Sequence, residues 1–167
     1  MYISMKTILV RFLEKRGELH ELVKELSTRK TRTGRIFSQI STILEAHFKN
    51  EGVTIVPLVK LLEKSLEGEE NTGGTKKAIT AGRKYKLIGE TMDHEHREVE
   101  GLCKIIQAIL KDEPDEKESY AVEQLMSLIK LEEGFVYAMA SFYGEMLKSN
   151  EFASSLDEMD FFFRVMP

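Results

Sequence analysis

The sequence predicts an all-α protein, an antiparallel up-down four-helix bundle with a short C-terminal helical extension. Three observations predict it. Apolar residues recur at helical spacing through four long stretches of the 167-residue chain. The segments Gly68–Thr75 and Asp112–Asp115 break those stretches with residues that favour turns. No segment shows a strand pattern that competes: residues 52–59 carry β-branched side chains, but they continue a strong helical stripe. Long helices joined by short or medium loops imply antiparallel neighbours.

The first helix is predicted over residues 4–27, on a stripe of Ile8, Phe12, Arg16, Leu19, Val23 and Leu26, with His20 on the same side. Ser27 to Gly34 is polar and reads as a turn. The second helix is predicted over 35–66, where Ile36, Phe37, Ile40, Ile43 and Leu44 lead on to Leu58, Leu61 and Leu62. The third is predicted over 76–111, with Ile88, Met92, Val99, Leu102, Cys103, Ile106, Ile109 and Leu110 on its buried side. Pro114 pushes its predecessor out of helical geometry and ends that run. The fourth is predicted over 116–149, on Val122, Leu125, Leu128, Ile129, Val136, Met139, Ala140, Tyr143 and Leu147. A short helix over 154–165, bearing Phe161, Phe162 and Phe163, caps an open end. The whole reads as one domain, core 4–149 and extension 150–167.

Composition narrows the class. With 42% hydrophobic and 31% charged residues, the chain has enough apolar surface to build a core, which argues against disorder. A formal net charge of -4 leaves no electrostatic footprint for nucleic acid. Arg29, Lys30, Arg32 and Arg35 form a short basic turn and not a phosphate patch. The single cysteine, Cys103, excludes an internal disulfide and suits a reducing compartment; it reads as a small buried hydrophobe. Lys6 and Arg11 interrupt any N-terminal signal core or membrane span, so the expectation is a cytoplasmic protein without a membrane partner. Phosphate-binding glycine loops and nucleophile elbows are missing, and nothing marks an enzyme of a familiar class.

The apolar stripes are interrupted by chemistry. His47 and Glu51 lie one turn apart on the second stripe, where leucines are expected. Burying an imidazole beside a carboxylate is costly unless each is paired or bound to metal. His20, His96 and Glu132 interrupt the other three stripes. Helical bundles assemble metal sites in this way, from side chains on facing helices. Imidazole and carboxylate suit iron, manganese or zinc, and hold either one ion with open positions or two bridged by carboxylate. Tyr137 and Tyr143 could line such a site, although aromatic residues at helical spacing usually serve packing.

His47-Phe-Lys-Asn-Glu51, followed by Val56-Pro57-Leu58, resembles the second-helix signature of the hemerythrin-like (HHE cation-binding) family. His20 fits that family's first-helix histidine, Glu95-His96-Arg97 its third-helix motif, and Glu132 the carboxylate of its fourth-helix His-x-x-x-Glu pattern. The resemblance implies a bundle holding a non-haem iron pair that binds oxygen or senses iron, oxygen or redox state. It departs at Leu128 and Met92, which stand where the pattern carries histidines. His94 and Glu133 are the nearest substitutes, on less favourable faces. The alternative expectation is a bundle that has kept the fold without the centre and serves as a structural or interaction module.

Overall fold

The computed structural model describes residues 5–66 and 72–148. All regular structure among them is helical: α1 (Met5–Ser27), α2 (Arg32–Val53), α3 (Ile55–Leu66), α4 (Thr72–Leu110), α5 (Glu116–Leu131), a π-helical turn (Glu132–Val136) and α6 (Tyr137–Lys148). No described helix is long and apolar enough to cross a membrane. The expected helix over 154–165 lies outside the described residues.

Two of the expected helices are divided. The second breaks at Thr54, whose backbone leaves helical geometry at φ -121°, ψ -71°. Pro57 is the reason: it lacks an N–H, and in a continuous helix its ring would meet the carbonyl four residues back, on Val53. The break puts Pro57 in the first turn of α3, where no donor is needed. Thr54 covers the interruption, donating its hydroxyl to the Asn50 carbonyl at 2.7 Å. The fourth is continuous in direction but carries the π turn between α5 and α6. The third starts earlier than expected, so Thr72–Thr75 of the expected loop belongs to α4.

The turn between α1 and α2 is tight. Thr31 caps α2 by accepting from the Gly34 amide at 2.9 Å, which satisfies a donor the helix start would leave open. Gly34 is required there, since a Cβ would come within 2.2 Å of the Arg29 carbonyl oxygen. Asp115 caps α5 in the same way, through the Glu118 amide.

α1 packs on α2 and α5, and α4 packs on α2, α3, α5 and α6. The shared interior holds Phe12, Val23 and Leu26 of α1, Phe37 and Ile40 of α2, and Leu58 and Leu62 of α3. Met92, Cys103 and Ile106 of α4 and Leu125 of α5 complete it. Each such side chain contributes about 1.5–3 kcal/mol by leaving water. Cys103 belongs to this core, and burial pushes its thiol up to about 12.

Candidate metal centre

Among the described residues seven buried ones are polar or charged, and four of them, His47, Glu51, His96 and Glu132, surround one point in the interior. His47 and Glu51 come from α2, His96 from α4 and Glu132 from the start of the π turn. The Nε2 atoms of His47 and His96 are 3.1 Å apart. Glu132 Oε2 is 2.9 Å from His96 Nε2 and 3.7 Å from His47 Nε2. Glu51 Oε1 is 3.7 Å from His47 Nε2.

The outward nitrogens are held by two further carboxylates. His47 Nδ1 pairs with Glu95 at 2.8 Å, and His96 Nδ1 pairs with Glu133 at 2.8 Å. A carboxylate accepts, so each Nδ1 carries a hydrogen; in the neutral imidazole Nε2 then turns a lone pair inward, whereas a proton on His96 Nε2 makes its 2.9 Å contact with Glu132 Oε2 an ion pair. In the neutral form two lone pairs face each other with a carboxylate oxygen beside them, an arrangement of acceptors that needs a cation in its midst. Outer carboxylates that fix a histidine's tautomer and orientation are the usual supports of metal-binding imidazoles. Glu132 Oε1 is buried with no hydrogen-bond partner, a further unused acceptor.

The electrostatics follow from this crowding. Burial disfavours a charged imidazole, yet Glu132, Glu51 and Glu95 outweigh it and lift the pKa of His47 to about 9. His96 is raised against burial in the same way, chiefly by Glu132. Glu51 is pushed up to about 7 by burial and by the charge of Glu132, with His47 and Arg16 pulling the other way. Burial would raise Glu132 as well, but the two imidazoles hold it below the usual carboxylate range. With no metal ion, a proton takes the cation's place.

His20, expected on the same site, does not join it. Its ring lies edge-on to Phe48, with centroids 5.3 Å apart, and its Nε2 is buried without a partner. Burial, then the charge of Lys24, lowers its pKa. The side chain that reaches the cluster from α1 is Arg16, one turn earlier. Its Nε donates to Glu51 Oε2 at 2.7 Å, its Nη2 donates to the Phe48 carbonyl, and its guanidinium lies 4.6 Å over the Phe48 ring. On the sequence stripe Arg16 stands among apolar residues with no role assigned, and its bonds to the Glu51 carboxylate and the Phe48 carbonyl supply one.

Tyr137, which the sequence left open between lining the site and packing, lies at the cluster. Its hydroxyl donates to Glu51 Oε1 at 2.9 Å and lies 3.1 Å from His47 Nε2 and 3.4 Å from His96 Nε2. Five residues separate it from Glu132, about 140° around a regular α-helix. The π turn, closed by the Tyr137 N–H donating to the Glu132 carbonyl, brings the two onto one face. Glu133, expected on a less favourable face, serves as the outer partner of His96, and Glu95 does the same for His47. His94 is exposed, as expected of a solvent-facing histidine. Met92 and Leu128 are buried in the core one turn before His96 and Glu132.

His47, His96 and Glu132 therefore form a buried group that could hold a metal ion, with ligand atoms all within 4.8 Å of one another. An open cleft of about 520 Å³, lined by Tyr85, Asp93, Arg97, Glu133 and Tyr137 among others, shares two residues with the cluster. Compared with family models, curated proteins and solved structures, the chain matches none.

Proposed function

We propose that this chain is a metal-binding module of the hemerythrin-like kind. In this reading its helices form an up-down four-helix bundle that holds non-haem iron and senses or binds oxygen, a redox species or iron itself. The inward-facing Nε2 atoms of His47 and His96, 3.1 Å apart and flanked by Glu132, carry the reading. A purely structural cluster would be expected to pair donors with acceptors. This one leaves Glu132 Oε1, a buried acceptor beside two imidazoles, without a donor.

His47, His96 and Glu132 would hold the ion, and Glu95 and Glu133 would orient the two imidazoles. An iron ion held by two imidazoles and one carboxylate keeps open positions for oxygen or a similar small ligand. Zinc or manganese suits the same donors. Tyr137 and the packed core keep bulk water from the cluster, and the cleft beside Tyr137 and Glu133 gives a small ligand an approach.

Elemental analysis of freshly purified protein tests the reading, with the His47→Ala and Glu132→Ala variants as controls. Metal in the parent and none in the variants is expected. Equal metal content in all three would overturn it.

A second reading, an interaction bundle without a centre, draws on the buried apolar Met92 and Leu128. It predicts that apolar replacements at His47, His96 and Glu132 are neutral or stabilising, as with many buried ionic groups. It also predicts a melting temperature indifferent to chelator.

A further inference from the structure

We infer that the centre takes one metal ion per chain, because the guanidinium of Arg16 acts as a built-in second cation on Glu51. This rests on the metal-binding reading above and sets its stoichiometry. A pair of ions in a helical bundle draws on several carboxylates as well as imidazoles, and Glu132, whose Oε1 has no partner, supplies one. Glu51, fully buried beside the cluster, is the next carboxylate in reach, and both of its oxygens are engaged. Oε2 accepts from Arg16 Nε at 2.7 Å, and Oε1 accepts from the Tyr137 hydroxyl at 2.9 Å.

Arg16 is itself held at two further points, by its bond to the Phe48 carbonyl and by its position over the Phe48 ring. The guanidinium stays charged at any ordinary pH. Glu51 therefore has its countercharge before any metal arrives. What remains is two imidazoles and one carboxylate, a donor set that serves a single ion with open positions.

No second set is available among the described residues. The other group with three donors in reach, Asp93, His96 and Glu133, draws on the same imidazole. The Nδ1 of that imidazole is already bonded to Glu133. His20 is in neither group.

The test is the number of ions retained. The full chain is saturated with Co(II), and separately with Fe(II), freed of excess metal and measured for metal and protein. One ion per chain is expected, with a half-integer-spin resonance from the oxidised iron form. Two ions per chain, or a resonance-silent coupled iron pair, would overturn the inference while leaving the metal-binding reading intact. No retained metal would overturn both.

Arg16→Gln tests the cause. Losing the guanidinium should admit a second Co(II) or tighten the first at least tenfold, and Arg16→Lys should return the stoichiometry to one. Arg16→Gln with unchanged or weaker binding would mean that Arg16 merely holds Glu51 in place, which overturns its role as a cation. If Arg16→Gln fails to fold, the parent's stoichiometry still decides the main point.

Discussion

At the turn end of the fold, Arg29 reaches Asp115 and Glu118 at 2.8 and 2.9 Å, and Asp115 also caps α5. In the interior, His47 and His96 reach toward Glu132 and toward each other, with four carboxylates around them in all. The turn cluster has its own permanent cation, and Glu118, though almost fully buried, is paired with it. The interior cluster has a permanent cation only on Glu51 and leaves its inward nitrogens facing one another. The difference separates a clamp from a site. A clamp closes its hydrogen bonds within the chain, and a site keeps acceptors in surplus.

The largest expected effect breaks the interior cluster. His47→Ala or Glu132→Ala should lower metal affinity by more than roughly 100-fold, because loss of an outer partner alone costs 10–100-fold. Titration of the metal-free protein with Co(II) reads it. Glu95→Gln comes next: it keeps the shape and loses the charge that orients His47, so affinity should fall by roughly 10-fold or more. The same change removes one of the charges that lift the pKa of His47, so the metal-free protein should also lose some stability to urea.

Acidity sharpens the contrast. The pKa of His47 rises from 6.5 to about 9 on folding, so its contribution to stability is complete below 6.5 and lost as pH rises through 9. Glu51, raised to about 7, acts in the same direction at lower pH. The metal-free protein should therefore lose stability as pH climbs across that window. Bound metal replaces the proton and should flatten the curve. Melting temperatures at several pH values, with and without metal, check this.

The turn cluster should respond through stability alone. Arg29→Ala leaves the buried Glu118 carboxylate without its cation and should cost about 2 kcal/mol, less than a fully buried pair because Arg29 is partly exposed. Asp115→Ala removes the cap of α5 and should cost about 1 kcal/mol. Urea unfolding measures both, and metal affinity should not move with either.

Much of this was legible in the residues. Apolar spacing predicted helices, and the interruptions at His47, Glu51, His96 and Glu132 marked side chains that the structure brings together. Other parts were out of reach of spacing. Arg16 and His20 share the sequence signal of a polar residue on the α1 stripe. Which of them enters the cluster depends on how α1 sits against α2. Glu95 and Glu133 each support an imidazole on a different helix, so no local pattern could pair them. Pro57 carries the signal of the break at Thr54, which the reading of one helix over residues 35–66 did not use.

By itself the sequence determined that the chain is helical, and which side chains interrupt its apolar faces, because period and polarity are local properties. The tertiary structure decided which of those side chains meet. Tyr137 lies among the imidazoles because a π turn changes the angle between it and Glu132. Arg16 lies on Glu51 because α1 packs along α2. Both depend on how turns and helices are set against one another over distances that no local spacing encodes.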